Sequence, residues 1–523
     1  MSLYKKVGTA SLIMMASVLL SRVIGLLREM VIAYAGGAGG DVDAYQVAFV
    51  IPEILNHIAA SGFLSVTFIP IFSGYLARNE EERGWEVFSL VLTCFGTMLL
   101  FFILAASFFA PALIRLLAPG FADPVLIAKA VRMTRIILPA QFFFFAGGLL
   151  MAVQFAKEQF AIPALAPLLY NIGIICGGIL LHRAVGMEGF SWGVLAGAFA
   201  GNFAVQIYGA KKAGMKLCFL FAFRHPDLIK YILLSLPLML GLTMSFSTEI
   251  FLKYFGSYLP EGSIASLNYG MRIMFILVGF FGQASGMASF PFLARLAAEN
   301  KMEEMNNLLD TTLRWLSPVI PFSVLLMVLR HETVLILFQR GRFDAAATEL
   351  TAHVLIFLLA GTFAYAAQTV VVRGYYAMQD TLFPALFGTA AVIVSLPLYG
   401  YGMKLMGISG LAIAISLSAI FQVWLLYFLW NRRIRKSGKS VYLFYLRMFA
   451  LSTVLGLFLE FFRRTALAGI DAFTFRGSLL ISLITGLIFL MLLPIAGYAF
   501  GIREISEFMA KIRNRIIRRA KRE

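Results

Sequence analysis

Apolar runs of membrane-spanning length recur about fourteen times along this chain of 523 residues, at roughly 20 residues per crossing. No water-soluble core could hold them all. Hydrophobic residues make up 60% of the chain and charged ones only 14%, and the mean hydropathy is +0.85. The sequence therefore predicts an all-α polytopic membrane protein, because lipid offers the backbone no hydrogen-bond partner and an α-helix satisfies its own groups. The first run, 7–36, is too long for a cleavable signal and continues through Arg22, Arg28 and Glu29, so it reads as the first span. Three cysteines exclude a disulfide framework, and Cys94, Cys176 and Cys218 read as small apolar fillers.

A net charge of +17 would suit nucleic acid, but the basic residues gather in short loops and at the C-terminus, which argues against that partner. An even number of spans puts both termini on one side. Loops assigned to that side carry Lys5 and Lys6, Arg78 and Arg83, Lys211, Lys212, Lys216 and Arg224, Lys301, and the run Arg432, Arg433, Arg435, Lys436 and Lys439. The opposite loops are poorer in basic residues, so the positive-inside rule predicts N-in and C-in. From residue 503 onward, Ile505, Phe508, Met509, Ile512 and Ile516 alternate at helical spacing with Lys and Arg, the pattern of an interfacial amphipathic helix on anionic lipid, with a partner-binding helix as the other reading.

The chain also resembles itself. Pro70 and Pro291, Asn79 and Asn300, Gly120 and Gly341, Asp123 and Asp344, and Pro163-Ala164-Leu165 and Pro384-Ala385-Leu386 all stand 221 residues apart. One constant offset over so many places predicts a repeat. With six helices in each unit, the two halves enter the membrane in the same orientation, an arrangement of parallel repeats found in transporters. The predicted segments are a six-helix lobe over 1–221, a second over 222–442, a helix pair over 443–502 and a basic tail over 503–523.

Charged side chains at mid-membrane cost about 2.5 to 3.5 kcal/mol each, so a group of them needs partners or a wet cavity. On the first helix Ser21, Arg22, Gly25, Arg28 and Glu29 share an arc of roughly 120° at 100° per residue, with Arg22 and Glu29 nearly eclipsed. On the second, Asp43, Gln46, Glu53, His57 and Ser61 share about 80°, and Pro52 among them predicts a kink that frees a carbonyl. The second half places Asn268, Arg272, Gly279 and Gln283 on one face. Glu249 and Lys253, four apart, read as a mutually neutralising pair rather than as ligand contacts. Snorkelling, or pairing with Glu29, would account for Arg22, Arg28 and Arg272 individually. Three arginines beside one acid leave a surplus positive field, which favours an anionic ligand. No phosphate-binding glycine loop, metal-ligand spacing or nucleophile motif occurs, so the chain reads as a transporter without cofactor or metal and not as an enzyme.

In "SRVIGLLRE", "DAYQVAFVIPEIL", "SGFLSVTFIPIF", "LAPGFAD", "AIPALAPLLYNI", "LNYGMRIM" and "GYYAMQDTLFP" the chain resembles, over nearly its whole length, the MviN/MurJ family of lipid II flippases, within the superfamily of multidrug and polysaccharide exporters. The resemblance implies fourteen helices, two six-helix lobes around a cavity, and a final helix pair forming a groove for a lipid tail. It implies that Arg22, Arg28 and Arg272 engage a lipid-linked diphosphate glycan and that Asp43 is a further functional acid. It also implies a bacterial inner-membrane location, a role in peptidoglycan biosynthesis, other cell-wall synthesis proteins as candidate partners, and a monomer. The chain departs from the family pattern where Asn56 and His57 stand in place of paired arginines and Phe275 in place of an acid, which leaves an exporter of another lipid-linked glycan as the nearest alternative. The eleventh span, 383–405, holds no carboxylate, so the sequence gives no helix-acid sodium site there.

Overall fold

The structure is a computed structural model, and it describes residues 3–57, 62–502 and 504. Ser61 and nearly all of the tail beyond 503 lie outside the described residues. The all-α expectation holds: no strand occurs among the described residues. The helices run α1 (Leu3–Gly36), α2 (Gly40–Ala48), α3 (Val50–Leu55), α4 (Gly62–Ala77), α5 (Glu81–Leu117), α6 (Pro124–Ile137), α7 (Ala140–Ala156), α8 (Ala166–Val185), α9 (Glu188–Gly197), α10 (Val205–Lys212) and α11 (Pro226–Gly256). They continue as α12 (Ser263–Leu277), α13 (Ala284–Ala298), α14 (Met302–Trp315), α15 (Val319–Val328), α16 (Arg330–Phe338), α17 (Ala345–Ala360), α18 (Thr362–Ala377), α19 (Leu382–Ile434), α20 (Lys439–Ala466) and α21 (Phe475–Ala499). Contacts divide the chain into two compact units, one of 1–265 with 340–343 and the other of 266–339 with 344–523.

Nine helices among the described residues are long and apolar enough to cross a membrane, or ten if α17 and α18, bent by 42°, make one span. Length also shows where one helix holds two crossings. The 53 residues of α19 would reach about 80 Å, against a hydrocarbon core of about 30 Å. The chain turns inside it at Gly407, whose φ of 57° is open to glycine at little cost.

Left-handed residues recur at a single spacing. Asn79 and Asn300, Glu158 and Gln379, Gly186 and Gly407, and Gly214 and Arg435 all have positive φ, and within each pair the residues stand 221 apart. Asn79 and Asn300 show what these positions do. Each ends a helix, and the next amide reaches back five residues, Glu80 N to Tyr75 O at 3.0 Å and Lys301 N to Leu296 O at 2.9 Å, which satisfies a carbonyl the helix would otherwise leave orphaned. Asp123 and Asp344, another pair at this spacing, each cap the N-terminus of the helix that follows, accepting from Val125 N and Ala347 N.

The first unit is held by an aromatic cluster of Phe68, Phe72, Trp85, Phe88, Phe95 and Tyr231, with ring centroids 5.3 to 6.4 Å apart. Its helix α8 packs closely on α9, where a Cβ on Gly177 would lie 2.4 Å from the Gly193 Cα. Small residues at four-residue spacing on both helices are what allow the backbones to meet. In the second unit the buried Tyr375 ring lies 5.1 Å from Phe383 and 5.3 Å from Trp430, and its hydroxyl donates to Leu426 O. Of the three cysteines only Cys94 is packed inside. Cys176 and Cys218 are exposed, which corrects the reading of all three as fillers: an apolar residue of a membrane protein need not face its interior.

The second helix is interrupted at Phe49, between α2 and α3, where the backbone stays right-handed helical. Pro52 has no N–H to give the Ala48 carbonyl four residues back. The interruption falls there, at the α2–α3 junction around Phe49. The Thr134 hydroxyl of α6 lies 3.3 Å from Ala48 O and 2.8 Å from Ala130 O, so its one hydrogen is shared between the freed carbonyl and its own helix.

Candidate functional site

The polar wedge of α1 is built around Arg28. Its Nη2 donates to Glu29 Oε1 at 2.6 Å and its Nη1 to Asn171 Oδ1 of α8 at 3.0 Å. Asn171 in turn donates to Ser21 Oγ at 3.4 Å and to Pro167 O at 2.9 Å. A guanidinium carries five N–H donors, and among the described residues the protein engages two of its nitrogens, so donors remain for an anion. Glu29 is buried and Arg28 partly so, with side chains 4% and 20% exposed. Arg22 is exposed, and Glu29 pairs with its neighbour Arg28. A methyl at Gly25 would stand 3.9 Å from Asn171 Oδ1, so the glycine leaves room beside the amide without being demanded by packing.

Asp43 meets backbone amides. It is buried, and its two oxygens accept from the amides of Gly262, at 2.6 Å, and Ala265, at 2.7 Å, at the start of α12. Free N–H groups at a helix N-terminus carry partial positive charge, and a carboxylate is their natural counterpart. Gln46 is buried on the same helix. On α3, beside the buried Pro52, Glu53 receives a hydrogen bond from Lys253 Nζ at 3.2 Å. The same ammonium, 3% exposed, lies 3.9 Å from Glu249, so the pair expected on α11 exists but the shorter contact is to the second helix. His57 is half-buried and within electrostatic range of Glu249.

In the second unit Asn268 is buried and Arg272 half-buried on α12. Phe275, one turn on, sets its ring edge-on to Tyr365 at 5.5 Å, an apolar contact. Gln283 closes the π-helical segment 278–283, and its carbonyl accepts from Arg373 Nη1 at 3.3 Å. Sequence reasoning missed Asn171. Its signal was visible, an amide in the middle of an apolar helix, but its pairing with α1 spans 143 residues and no periodicity carries that. Among the described residues no group of three His, Cys, Asp or Glu side chains could hold a metal ion.

Comparison with known proteins gives a consistent picture. A family profile described as lipid II flippase MurJ matches residues 32–476. The chain is similar to the probable lipid II flippase MurJ of Vibrio cholerae, at 27% identity over 81% of this chain and 82% of that one. It is also similar to the lipid II flippase MurJ of Burkholderia cenocepacia, at 29% identity over 78% and 81%. Among solved structures it is similar in fold to a lipid II flippase MurJ in an inward closed conformation, with a TM-score of 0.75, 23% identity, and coverage of 91% of this chain and 98% of that chain. A multidrug transporter of the MATE family shares the fold at a TM-score of 0.61 and 15% identity, over 79% and 94% of the two chains.

Proposed function

The chain belongs to the lipid II flippase MurJ family, and from that membership we propose that it is a transporter, not an enzyme, that moves lipid II across the bacterial cytoplasmic membrane by alternating access. The observation that carries the reading onto this chain is Arg28, an intramembrane arginine pinned by Glu29 and Asn171 with donors left over. A diphosphate presents oxygens in planes that a guanidinium fork matches. In this reading Arg22, Arg28 and Arg272 bind the diphosphate, while Gln46, Glu53, His57, Ser61, Asn268 and Gln283 contact sugar or peptide. Asp43 and Glu29 act at one remove: Asp43 through the amides it caps, Glu29 by aiming Arg28.

The lobes 1–221 and 222–442 are parallel repeats that rock against each other, a reading supported by the left-handed helix ends that recur 221 residues apart. Fourteen spans with both termini inside follow from the same reading, as do a groove for the polyprenyl tail on 443–502 and an anionic-lipid contact on 503–523. The substrate is tested by depleting the chain from its host. Lipid II should accumulate on the inner face of the membrane, and accumulation of another lipid-linked glycan instead would transfer the assignment to that glycan.

A further inference from the structure

On the basic side of the second unit, an apolar cavity of about 300 Å³ lies between α18, the second half of α19 and α20. Phe363, Ala367 and Val371 of α18 form its back wall, and Tyr445 of α20, whose hydroxyl donates to Leu313 O, closes one side. Trp424, Leu446 and Phe449 line it and are also exposed, so it opens sideways, toward lipid. Its lining on α20 runs from Val441 to Phe449, about 12 Å at 1.5 Å per residue, close to one leaflet of a roughly 30 Å hydrocarbon core. At about 300 Å³ over that length the slot is too small for a helix about 10 Å across and has the size of a hydrocarbon chain.

Charge decides what that chain is attached to. Arg432, Arg435 and Lys439, at the end of α19 and the start of α20, are exposed, and among the described residues none has an acidic partner within 4 Å. Their neighbours Arg433 and Lys436 are paired with Asp380 and Glu303. Trp424 and Tyr442 stand one or two turns below this rim, where amphipathic rings settle at a membrane interface. Basic rims over slots between membrane helices select anionic head groups.

We propose that this slot holds one acyl chain of an anionic glycerophospholipid, with its phosphate beneath Arg432, Arg435 and Lys439. The site lies on the face of α20 turned toward α18 and α19; it shares Tyr445, Leu446 and Phe449 with the segment 443–502 but includes no residue of α21. It does not depend on what the protein transports.

The test uses the purified full chain, equilibrated in vesicles of equal phosphatidylglycerol and phosphatidylcholine, with the retained lipid counted by native mass spectrometry. Phosphatidylglycerol should be retained in preference. Replacing Arg432, Arg435 and Lys439 with Gln should erode that preference by about five-fold per charge. Ala367→Phe should abolish retention of both lipids by filling the slot. If that variant fails to fold, Leu446→Trp, at an exposed position, closes the mouth instead. Equal retention of the two lipids by the unaltered chain would overturn the proposal, as would retention that survives both slot variants. Displacement of phosphatidylglycerol by a polyprenyl diphosphate would overturn it too, making the slot a substrate-tail site.

Discussion

Two arginine–glutamate pairs, one in each unit, look alike on paper and differ in what they can do. In the second unit Arg463 of α20 binds Glu332 of α16 through Nε at 2.8 Å and Nη2 at 2.6 Å, and the carboxylate is fully buried. In the first unit Arg28 binds its own neighbour Glu29 through one nitrogen and Asn171 through another. A bond between adjacent residues cannot hold distant parts of a chain together, because they are joined already. The bond across 131 residues can, and it ties the helix pair that begins at α20 to the body of its unit. Burial and sequence distance thus separate a structural ion pair from one that keeps a charge in place for use. Arg295 and Glu299, a pair on the surface near Asn300, supply the third, exposed case.

Expected effects fall in that order. Arg463→Ala leaves Glu332 buried and unpaired, which costs about 3 to 5 kcal/mol. Denaturation of the purified protein should show that loss, while replacing both residues with Leu should recover most of it. A single-variant cost below 1 kcal/mol would contradict the structural role. For Arg28→Ala the effect moves from stability to binding. Losing a charge-assisted contact is worth about 1.5 to 3 kcal/mol, or roughly ten-fold to a hundred-fold in affinity for a lipid-linked diphosphate. Lysine should restore only part of it, because an ammonium offers a point charge where the fork offered a plane. Asn171→Leu should cost about 1.5 to 3 kcal/mol, mainly the hydrogen bond it accepts from the Arg28 guanidinium, and weaken binding less than Arg28→Ala. An equal effect on binding would make Asn171 a ligand contact.

The smallest effect belongs to the exposed pair. Hydrogen bonds from Arg295 and Lys301 hold the Glu299 carboxyl at about 2, below its ordinary 4.5. A depressed carboxyl stabilises the fold fully above its unfolded value, and that contribution is lost as pH falls from 4.5 through 2. Glu299→Gln should therefore change nothing in the pH dependence of stability between 6 and 8, and should flatten it only in acid. Thermal melts across that range would check it.

Fold class was legible because apolarity alone dictates helices in lipid. The spacing of 221 was legible because left-handed helix ends need particular residues, and Asn79 and Asn300 kept the same one. Glu158 with Gln379 and Gly214 with Arg435 changed identity while keeping the conformation, so residue matching passed over them. The candidate site was half legible. Helical arcs find which residues share a face, and they grouped Arg28 with Glu29 correctly. They do not say what the face meets, so Asn171 went unnoticed and the engagement of Asp43 with two backbone amides was invisible: amides carry no residue label. The interruption at Phe49 had a visible cause in Pro52, but the Thr134 hydroxyl within reach of the freed Ala48 carbonyl lies 86 residues away.

The central claim is that Arg22, Arg28 and Arg272 act as one binding unit for a diphosphate. The measurement that tests it most directly is transport of lipid II into purified proteoliposomes by single and double alanine variants, at matched protein levels. Each single should lose transport severely, and the double Arg22→Ala/Arg272→Ala should be no worse than its more damaging single, because residues acting on one ligand are not additive. Transport that stays intact with both arginines removed would contradict the claim and return them to a role in packing or topology.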